Sequence, residues 1–392
     1  MTSDINLSAL CDYAEGRIAV SDLDLDSYIS TENMLQNKEG ICQSSGLPTV
    51  AQTQAYQPDD VLVSNIRPYF RKIWFADREG GCSNDVLVLR AKEECYPRFL
   101  YYVLSDNAFF DYATATGKGT KMPRGDKGAI MRYSVPNVLY ETQVEIADTL
   151  AAIDDRISEN KKINHHLEQM AQAIFKSWFV DFEPFGGVMP DDWREGTLGN
   201  ICRFQAGFAF PKEEQGAVET DIPFIKVSDM NLPQNNFFIV AANNWVSSST
   251  SKRLKLKLIP VDAVVFAKIG EALKAERLRV ITQPTAIDNN MMAAIPLSSD
   301  FTEFLPYILD SIHLASWAEG SALPFLRQSD LMEIPIVIPP ANALKEFSAI
   351  VAPIAKEKLA KSEESAHLSQ IRDTLLPRLM SGELSVADIA AK

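Results

Sequence analysis

Long hydrophobic runs and paired cysteines are missing from this sequence of 392 residues. No run approaches 18 consecutive apolar residues, and the first twenty residues hold neither a basic segment nor an apolar one, so we expect no membrane span and no secretion signal. The five cysteines include no CxxC pair and leave one over, which is typical of reduced thiols that pack as small hydrophobic residues. The sequence therefore predicts a cytoplasmic protein.

Histidine and catalytic motifs are also scarce. Two of the four histidines, His165 and His166, are adjacent, so on a helix they point about 100° apart and cannot form the i, i+4 pair of a zinc site. A DNA adenine methyltransferase needs an Asn-Pro-Pro-Tyr-like or Asp-Pro-Pro-Tyr-like motif to hold a flipped base, and the sequence has none. We therefore predict no catalytic residue, no metal site and no cofactor.

Positive charge is in deficit, because the formal net charge is −14. Such a charge argues against a nucleic-acid binder, since DNA affinity depends on neutralising phosphates. Two stretches nevertheless have a local excess of lysine and arginine, residues 250–280 and residues 117–128. Either stretch, taken alone, fits a solvated charged face as well as a binding surface.

The chain repeats itself at an offset of about 201 residues. This offset places Gly320 on Gly119 and Pro324 on Pro123, and it aligns apolar residues along two later helical segments. Upstream, the offset drifts, but "QPDDVLVSNIR" still lies over "IPVDAVVFAKI" and "RFLYYVLSD" over "EFLPYILDS". Each half therefore reads as a mixed α/β region followed by a long helix.

Four regions follow from this repeat. Short β-rich runs, turn residues and one helix candidate alternate in each globular region, and proline-containing segments end both regions. The predicted regions are a first lobe (residues 1–140), a first long helix (residues 141–183), a second lobe (residues 184–338), and a second long helix with a tail (residues 339–392). The fold class is α+β.

Both helical segments have an apolar seam that a polar stretch interrupts. In the first segment, Asn160 and Asn164 stand where apolar residues would continue the spacing, and in the second segment Lys358, Lys361 and Ser365 do so. Matching polar middles meet if the helices form an antiparallel coiled coil about a near-twofold axis, in which a buried Asn fixes the register. The alternative is that each helix packs only on its own lobe. Because proline interrupts helices, Pro353 is a possible start of the second helix.

The order of these features resembles the specificity subunit of type I restriction-modification systems. The resemblance is carried by "DIPFIKVSDM", "IPVDAVVFAKIG", "TAIDNNMMAAI" and "GSALPFLRQSDLMEIPIVIPP", with counterparts "YISTENML", "YQPDDVLVSNIRPYF" and "TGKGTKMPRGDKGAIM" in the first half. It implies two target-recognition domains that each read one half of a bipartite site in double-stranded DNA, separated by helices that act as a ruler. It also implies a non-catalytic subunit that recruits two methyltransferase subunits and, in the full complex, translocating nuclease (restriction) subunits.

Candidate DNA contacts follow from the residue types that read base edges, which are Arg or Lys for guanine, Asn or Gln for adenine, and Ser or Thr for either. The candidates in the first lobe are Lys118, Thr120, Lys121 and Arg124, followed by Asn65, Arg67 and Tyr69. The candidates in the second lobe are Lys226, Ser228, Lys268, Asn289, Asn290, Arg327 and Gln328. Asn289 and Asn290 fit a turn equally well, and Lys268 fits an ordinary strand-end charge.

Two other classes of function remain open at this point. One is a scaffold whose lobes bind proteins and whose helices dimerise. The other is a methyltransferase or nuclease in its own right, which would act on DNA as a single chain.

Overall fold

The computed structural model describes residues 4–119, 121–217, 220–320 and 323–390. The chain divides into two compact units. Unit 1 consists of Met1–Asp155 with Leu368–Lys392, and unit 2 consists of Arg156–His367. Each unit therefore contains one lobe and part of each long helix. The domain boundaries given above stay a prediction.

Short α-helices lie inside the lobes, and a 40-residue α-helix follows each lobe. They are α1 (Pro97–Ser105), α2 (Asn107–Ala115), α3 (Lys127–Ile130), α4 (Tyr140–Phe179), α5 (Ser248–Leu254), α6 (Glu271–Lys274), α7 (Phe304–Ile312), α8 (Gln328–Met332), α9 (Ala341–Met380) and α10 (Val386–Ala390).

The strands of the first lobe form three small sheets, with strand orders β1-β10, β2-β9-β6-β7 and β3-β5-β8-β4. They are β1 (Ile5–Asn6), β2 (Cys11–Tyr13), β3 (Arg17–Ala19), β4 (Tyr28–Ile29), β5 (Gln52–Tyr56), β6 (Val61–Ser64), β7 (Ile73–Phe75), β8 (Gly80–Cys82), β9 (Val86–Ala91) and β10 (Ser134–Val135).

The strands of the second lobe form sheets in the orders β11-β20, β12-β19-β16-β17-β14 and β15-β13-β18. They are β11 (Arg194–Thr197), β12 (Cys202–Ala206), β13 (Ile222–Ile225), β14 (Phe238–Ile239), β15 (Trp245–Val246), β16 (Val264–Ala267), β17 (Arg279–Ile281), β18 (Ala286–Ile287), β19 (Met291–Pro296) and β20 (Pro335–Ile338).

The two lobes share their topology. In each lobe the first strand pairs antiparallel with the last, and the order β2-β9-β6-β7 recurs as β12-β19-β16-β17. The central pair is antiparallel in both, with Val61 opposite Leu89 in one lobe and Val264 opposite Ala294 in the other. Near-continuous apolar runs in these strands are buried on both faces, which explains their lack of alternation.

In unit 1 the start of α4 and the end of α9 lie in one core. Ile146 and Leu150 of α4 share a buried cluster with Leu376 and Leu379 of α9 and with apolar residues of the first lobe. A little further along, Arg372 donates to Asp154 at 2.7 Å. Because rising residue numbers on α4 meet falling numbers on α9, the helices are antiparallel.

In unit 2 the end of α4 and the start of α9 pair in the same sense. Ala171 and Phe175 of α4 pack with Phe347 and Val351 of α9 in the core of the second lobe. The antiparallel pairing predicted from the seams is therefore confirmed. Each helix also packs on a lobe. The alternative that each helix packs only on its own lobe is therefore wrong, because the two helices also pack on each other.

A start of the second helix at Pro353 is wrong, because α9 begins at Ala341 and continues through Pro353. The turns before this proline hold Phe347 and Val351, whose side chains are completely buried. Proline removes one backbone hydrogen bond from a helix interior. Tertiary packing of an apolar face is the main source of helix stability in proteins, and here it offsets that loss.

All five cysteines lie in the described residues and are free thiols. Cys11, Cys82, Cys95 and Cys202 are buried, and burial raises the pKa of each of these thiols to about 12. Cys42 is exposed, which differs from the expected burial because it lies in a surface loop outside the sheets. A search of the described helices found none with both the length and the hydropathy that crossing a bilayer requires.

Candidate nucleic-acid interface

A hydrogen-bonded frame joins two candidate segments of the first lobe. The backbone of Lys118 exchanges hydrogen bonds with that of Arg124, at 2.8 and 2.9 Å, so these two residues close the base of a hairpin. The N–H of Arg67 donates to the carbonyl of Pro123 at 2.8 Å, and the N–H of Gly125 donates to the carbonyl of Asn65 at 3.1 Å. The candidates near residue 65 and those near residue 120 therefore lie side by side.

Two basic side chains of this hairpin are held in ion pairs. The ammonium of Lys118 lies 2.5 Å from Asp126, and the guanidinium of Arg124 lies 3.0 Å from Asp85. The Lys118 ammonium lowers the pKa of the Asp126 carboxyl to about 2. Lys121 is exposed on the same hairpin, whereas Thr120 lies outside the described residues. Unlike Lys118 and Arg124, Lys121 has no ion pair with a carboxylate of the described residues.

Asn65 and Arg67 keep buried polar atoms without a hydrogen-bond partner in the described part of the chain. These atoms are Oδ1 of Asn65 and Nε of Arg67. Gly125 leaves room for the amide, because a Cβ there would lie 2.9 Å from Asn65 Oδ1. Arg67 also has a left-handed backbone, with φ of 50°. Unsatisfied groups and strained backbone cluster at binding sites, so these two residues remain good candidates.

Tyr69 stands on the surface beside this frame. It is about half exposed and makes an edge contact with Phe70, over whose ring the Arg67 guanidinium also lies. An exposed aromatic ring next to arginine suits contact with bases or sugars.

The second lobe repeats the same frame. The N–H of Gly270 donates to the carbonyl of Pro324 at 2.8 Å, as Arg67 does to Pro123. Glu319 exchanges backbone hydrogen bonds with Phe325, as Lys118 does with Arg124. Gly320 has a left-handed φ of 85°, and its counterpart Gly119 has 97°. Equivalent hairpins therefore close both frames.

The ion pair that spans each hairpin is reversed in sign. Lys118 pairs with Asp126 in the first lobe, and at the same offset Glu319 pairs with Arg327 in the second lobe, at 2.9 Å. Arg327 also lies over the Phe325 ring, 5.3 Å from its centroid. Gln328 follows as the exposed first residue of α8.

The other candidates of the second lobe lie along one edge with this hairpin. Lys268 donates its N–H to the carbonyl of Asn290 and accepts from the N–H of Leu326, both at 2.9 Å. The N–H of Asp288 donates to the carbonyl of Ile225, the residue before Lys226. The segments that hold Lys226, Asn289, Lys268 and Arg327 are thus linked backbone to backbone.

Two residues of this edge already make local contacts. The ammonium of Lys226 bonds to Gln215 and lies 5.5 Å from the centroid of Phe210. Asn290 forms a turn with Asn289, in which its N–H donates to Asp288 Oδ1 at 2.6 Å. The turn explains both asparagines locally but leaves their side chains exposed, as is that of Ser228.

Sequence reasoning missed the corresponding segment of the first lobe. Ser30 donates its N–H to Asn33 Oδ1 at 2.6 Å, just as Lys226 donates to Asp229 Oδ2 at 2.7 Å. Ser83 bonds to the carbonyl of Ile29, as Asp288 bonds to that of Ile225. The signal was available, because "YISTEN" lies over "FIKVSD" once the repeat is aligned. Residues 30–32 thus complete the equivalent edge of the first lobe.

The polar residues of the helix pair meet in unit 2. Asn164 donates from Nδ2 to the carbonyl of Lys358 at 3.2 Å and to Ser362 Oγ at 3.0 Å. Asn160 is completely buried, and Arg156 nearby pairs with Glu364 at 2.7 Å. This Arg156 pair lowers the pKa of Glu364 to about 2. Asn164 therefore contacts α9 directly. The role of Asn160 and Asn164 in fixing the register stays a prediction.

Comparison with known proteins identifies the family. The profile of the type I restriction modification DNA specificity domain matches residues 6–169 and again residues 190–365. The chain belongs to this family. The double match confirms the internal repeat, and it assigns the chain as a DNA-recognition subunit that assembles with other subunits of a restriction-modification system.

Individual relatives agree with this assignment. The chain is 27% identical over 312 residues to the type I restriction enzyme MjaIX specificity subunit of Methanocaldococcus jannaschii, covering 76% of this chain and 71% of that protein. It is 25% identical over 437 residues to the HindI specificity subunit of Haemophilus influenzae, covering 91% and 94%. The crystal structure of the S subunit of a type I restriction-modification system from M. genitalium is similar in fold, with a TM-score of 0.58 at 18% identity and coverage of 96% and 95%.

Proposed function

We propose that each lobe of this specificity subunit reads one half of a bipartite site in double-stranded DNA. One observation carries the proposal: the two lobes share a backbone frame, whereas the side chains on it differ. Asn65 corresponds to Lys268, and Arg124 corresponds to Phe325. A shared frame with different side chains is what two unlike half-sites would require.

The proposed contacts are the candidates from the sequence, with residues 30–32 added. Amides, hydroxyls, lysines and arginines are the groups that read base edges in the major groove. Most of the contacts should go to phosphates, which position the protein without reading sequence. Lys121, Tyr69 and Gln328 are exposed and therefore accessible to DNA. Arg327 is also exposed but would have to leave its ion pair with Glu319.

We propose that the long helices set the distance between the half-sites. Each has 40 residues, which corresponds to about 60 Å of helix at 1.5 Å per residue. DNA-binding dimers place their readers one helical turn apart or at multiples of it. The helix pair would then determine the number of unread base pairs between the half-sites.

The proposed partners are two methyltransferase subunits and, in the full complex, restriction subunits. Chemistry and its cofactors would belong to those partners, and this chain would act on DNA in the cytoplasm without a catalytic step of its own. With a net charge of −14, the chain alone should bind DNA weakly, because its negative charge repels phosphates.

DNA footprinting of the purified complex with its methyltransferase tests this function. The expected result is two protected blocks on one duplex, separated by an accessible spacer, with affinity that falls as salt rises. A scaffold that binds only proteins would add no protection beyond that of the methyltransferase alone. Methylation or cleavage by the purified single chain would instead show an enzyme.

A further inference from the structure

A basic strip lies on the surface of the second lobe. The strip consists of Lys252, Arg253, Lys255 and Lys257, at the end of α5 and just after it. All four side chains are exposed. Four positive charges within six residues repel one another, and no acidic residue is interspersed. Such crowding is unusual in a chain with a net charge of −14 and suggests an anionic ligand.

The fold fixes the direction in which these side chains point. In the sequence Lys255-Leu256-Lys257-Leu258, the leucines are half-buried and pack against the cluster of Phe210, Phe224, Val246 and Ala286. Lys257 lies between the two leucines and is consequently exposed, as in an extended segment with one buried face. The carbonyl of Lys257 also accepts a hydrogen bond from Gln205 at 2.9 Å.

Lys255 is kept at a backbone position that favours glycine. It ends α5 with φ of 54°, in the left-handed region. Helices commonly end with glycine at such a position, because a side chain there strains the backbone. The backbone at this position therefore does not require the Lys255 side chain, and glycine would adopt the same conformation with less strain.

The charges of the strip are mostly uncompensated. Arg253 pairs with Glu214, whereas no carboxylate of the described residues lies within ion-pair distance of Lys252, Lys255 or Lys257. Lys226 of the candidate edge lies over Phe210, which belongs to the cluster beneath the strip. The strip therefore borders the edge that we propose reads bases.

We propose that this strip binds the phosphate backbone of DNA next to the second half-site. The inference rests on the proposed function. It assigns to the strip phosphate contacts that do not depend on base sequence. Lysine is depleted in protein–protein interfaces, whereas aromatic residues are enriched there. A lysine-rich strip without aromatic residues therefore fits DNA phosphates better than an acidic protein partner.

The substitution Lys255→Gly gives a sharp test, because it removes a charge while relieving the left-handed strain. We expect the thermal midpoint to stay the same or rise, and the salt slope of DNA binding by the methyltransferase complex to fall by about 0.9. The triple variant Lys252→Gln, Lys255→Gly, Lys257→Gln should lower the slope by roughly 2 to 3. Both variants should weaken specific and scrambled duplexes equally and leave the methylated sequence unchanged.

The matched control is Lys38→Gly. Lys38 is also a lysine in the left-handed region, with φ of 65°, but it lies in the first lobe and bonds to Asn107. It should leave the salt slope unchanged. An unchanged slope in Lys255→Gly and in a folded triple variant would overturn the inference, and so would a loss confined to assembly with the methyltransferase.

The two proposals can fail separately in this experiment. A wild-type complex that binds every duplex equally would contradict the proposed reading of half-sites, yet the slope on scrambled DNA would still test the strip. A wild-type complex that binds no DNA would overturn both. Should the triple variant fail to fold, Lys255→Gly and Lys38→Gly decide the matter on their own.

Discussion

At the scale of single residues, the reversed ion pairs of the two hairpins are the most informative feature. Lys118–Asp126 and Glu319–Arg327 occupy equivalent positions with opposite polarity. The first arrangement also gives α3 an N-cap, because Asp126 Oδ1 accepts the N–H of Ala129 at 2.9 Å. Arg327 stands at the same place before α8 without a side-chain cap.

The double substitution Glu319→Lys with Arg327→Asp should therefore stabilise the protein. It restores the pair in the polarity of the first lobe and adds an N-cap, which contributes about 1 kcal/mol to helix stability. Thermal or chemical unfolding measures the change. Arg327→Asp alone should instead place two acidic groups together, and a double variant that is less stable than this single one would contradict the equivalence of the hairpins.

Arg327→Ala should weaken DNA binding by the assembled methyltransferase. A bidentate arginine–guanine contact would be worth about 1 to 3 kcal/mol, and its loss would relax one position of the second half-site. Glu319→Ala is the matched control, because it breaks the same ion pair but keeps the guanidinium. If Arg327→Ala binds DNA as tightly as Glu319→Ala does and gives the same methylation pattern, Arg327 does not contact the DNA.

The Lys118–Asp126 pair also predicts a pH effect. The pKa of Asp126 is lowered to about 2 in the folded protein, so the pair stabilises the fold above the ordinary aspartate range and loses this contribution as the pH falls toward 2. Lys118→Met should raise the pKa of Asp126 toward 3.8, as an NMR titration would measure. An unchanged pKa would show that the Ala129 N–H, not Lys118, is the main cause.

Composition picked out Lys118 and Arg124 as candidates, but not their ion pairs. Arg124 is paired with Asp85, 39 residues earlier in the chain, because the frame brings the two loops together. The sequence around Arg124 cannot predict such a contact. Charge alone therefore overstated how available Lys118 and Arg124 are for DNA, whereas Lys121 is exposed as the sequence reasoning expected.

At the scale of elements, the long helices were the most predictable part. The apolar seam predicted for the first helix includes Ile146 and Leu150, and both residues are buried. The burial of Lys358 was not predictable, because its ammonium pairs with Glu168 and lies over Phe237, a residue of the second lobe. A polar break in a seam can thus be solvated or buried, and only tertiary contacts decide which.

Lengthening both helices together tests the ruler. We expect a seven-residue insertion within Lys161 to Ala171 of α4, with a matching one after Lys361 of α9, to keep the seams in register and add about 10 Å. The preferred spacer should grow by about three base pairs while both half-sites stay the same. Methylation of a library with varied spacers measures this, and an unchanged spacer would count against the ruler.

At the scale of the whole chain, the repeat was visible in the sequence, but the sheets were not. The offset of 201 residues aligned Gly119 with Gly320, and both take the left-handed backbone in equivalent hairpins. The strand order β2-β9-β6-β7 joins segments far apart in sequence, and alternation of polar and apolar residues cannot specify such pairing when both faces are buried. The frame that unites the candidate residues therefore emerged only in three dimensions.

We propose that this one chain specifies a DNA site in two parts. Sequencing the methylated positions in a host that carries this chain and its methyltransferase, against a host with the methyltransferase alone, tests it most directly. We expect a bipartite motif with a fixed spacer that appears only when this chain is present. The same methylated positions in both hosts, or one uninterrupted motif, would contradict it.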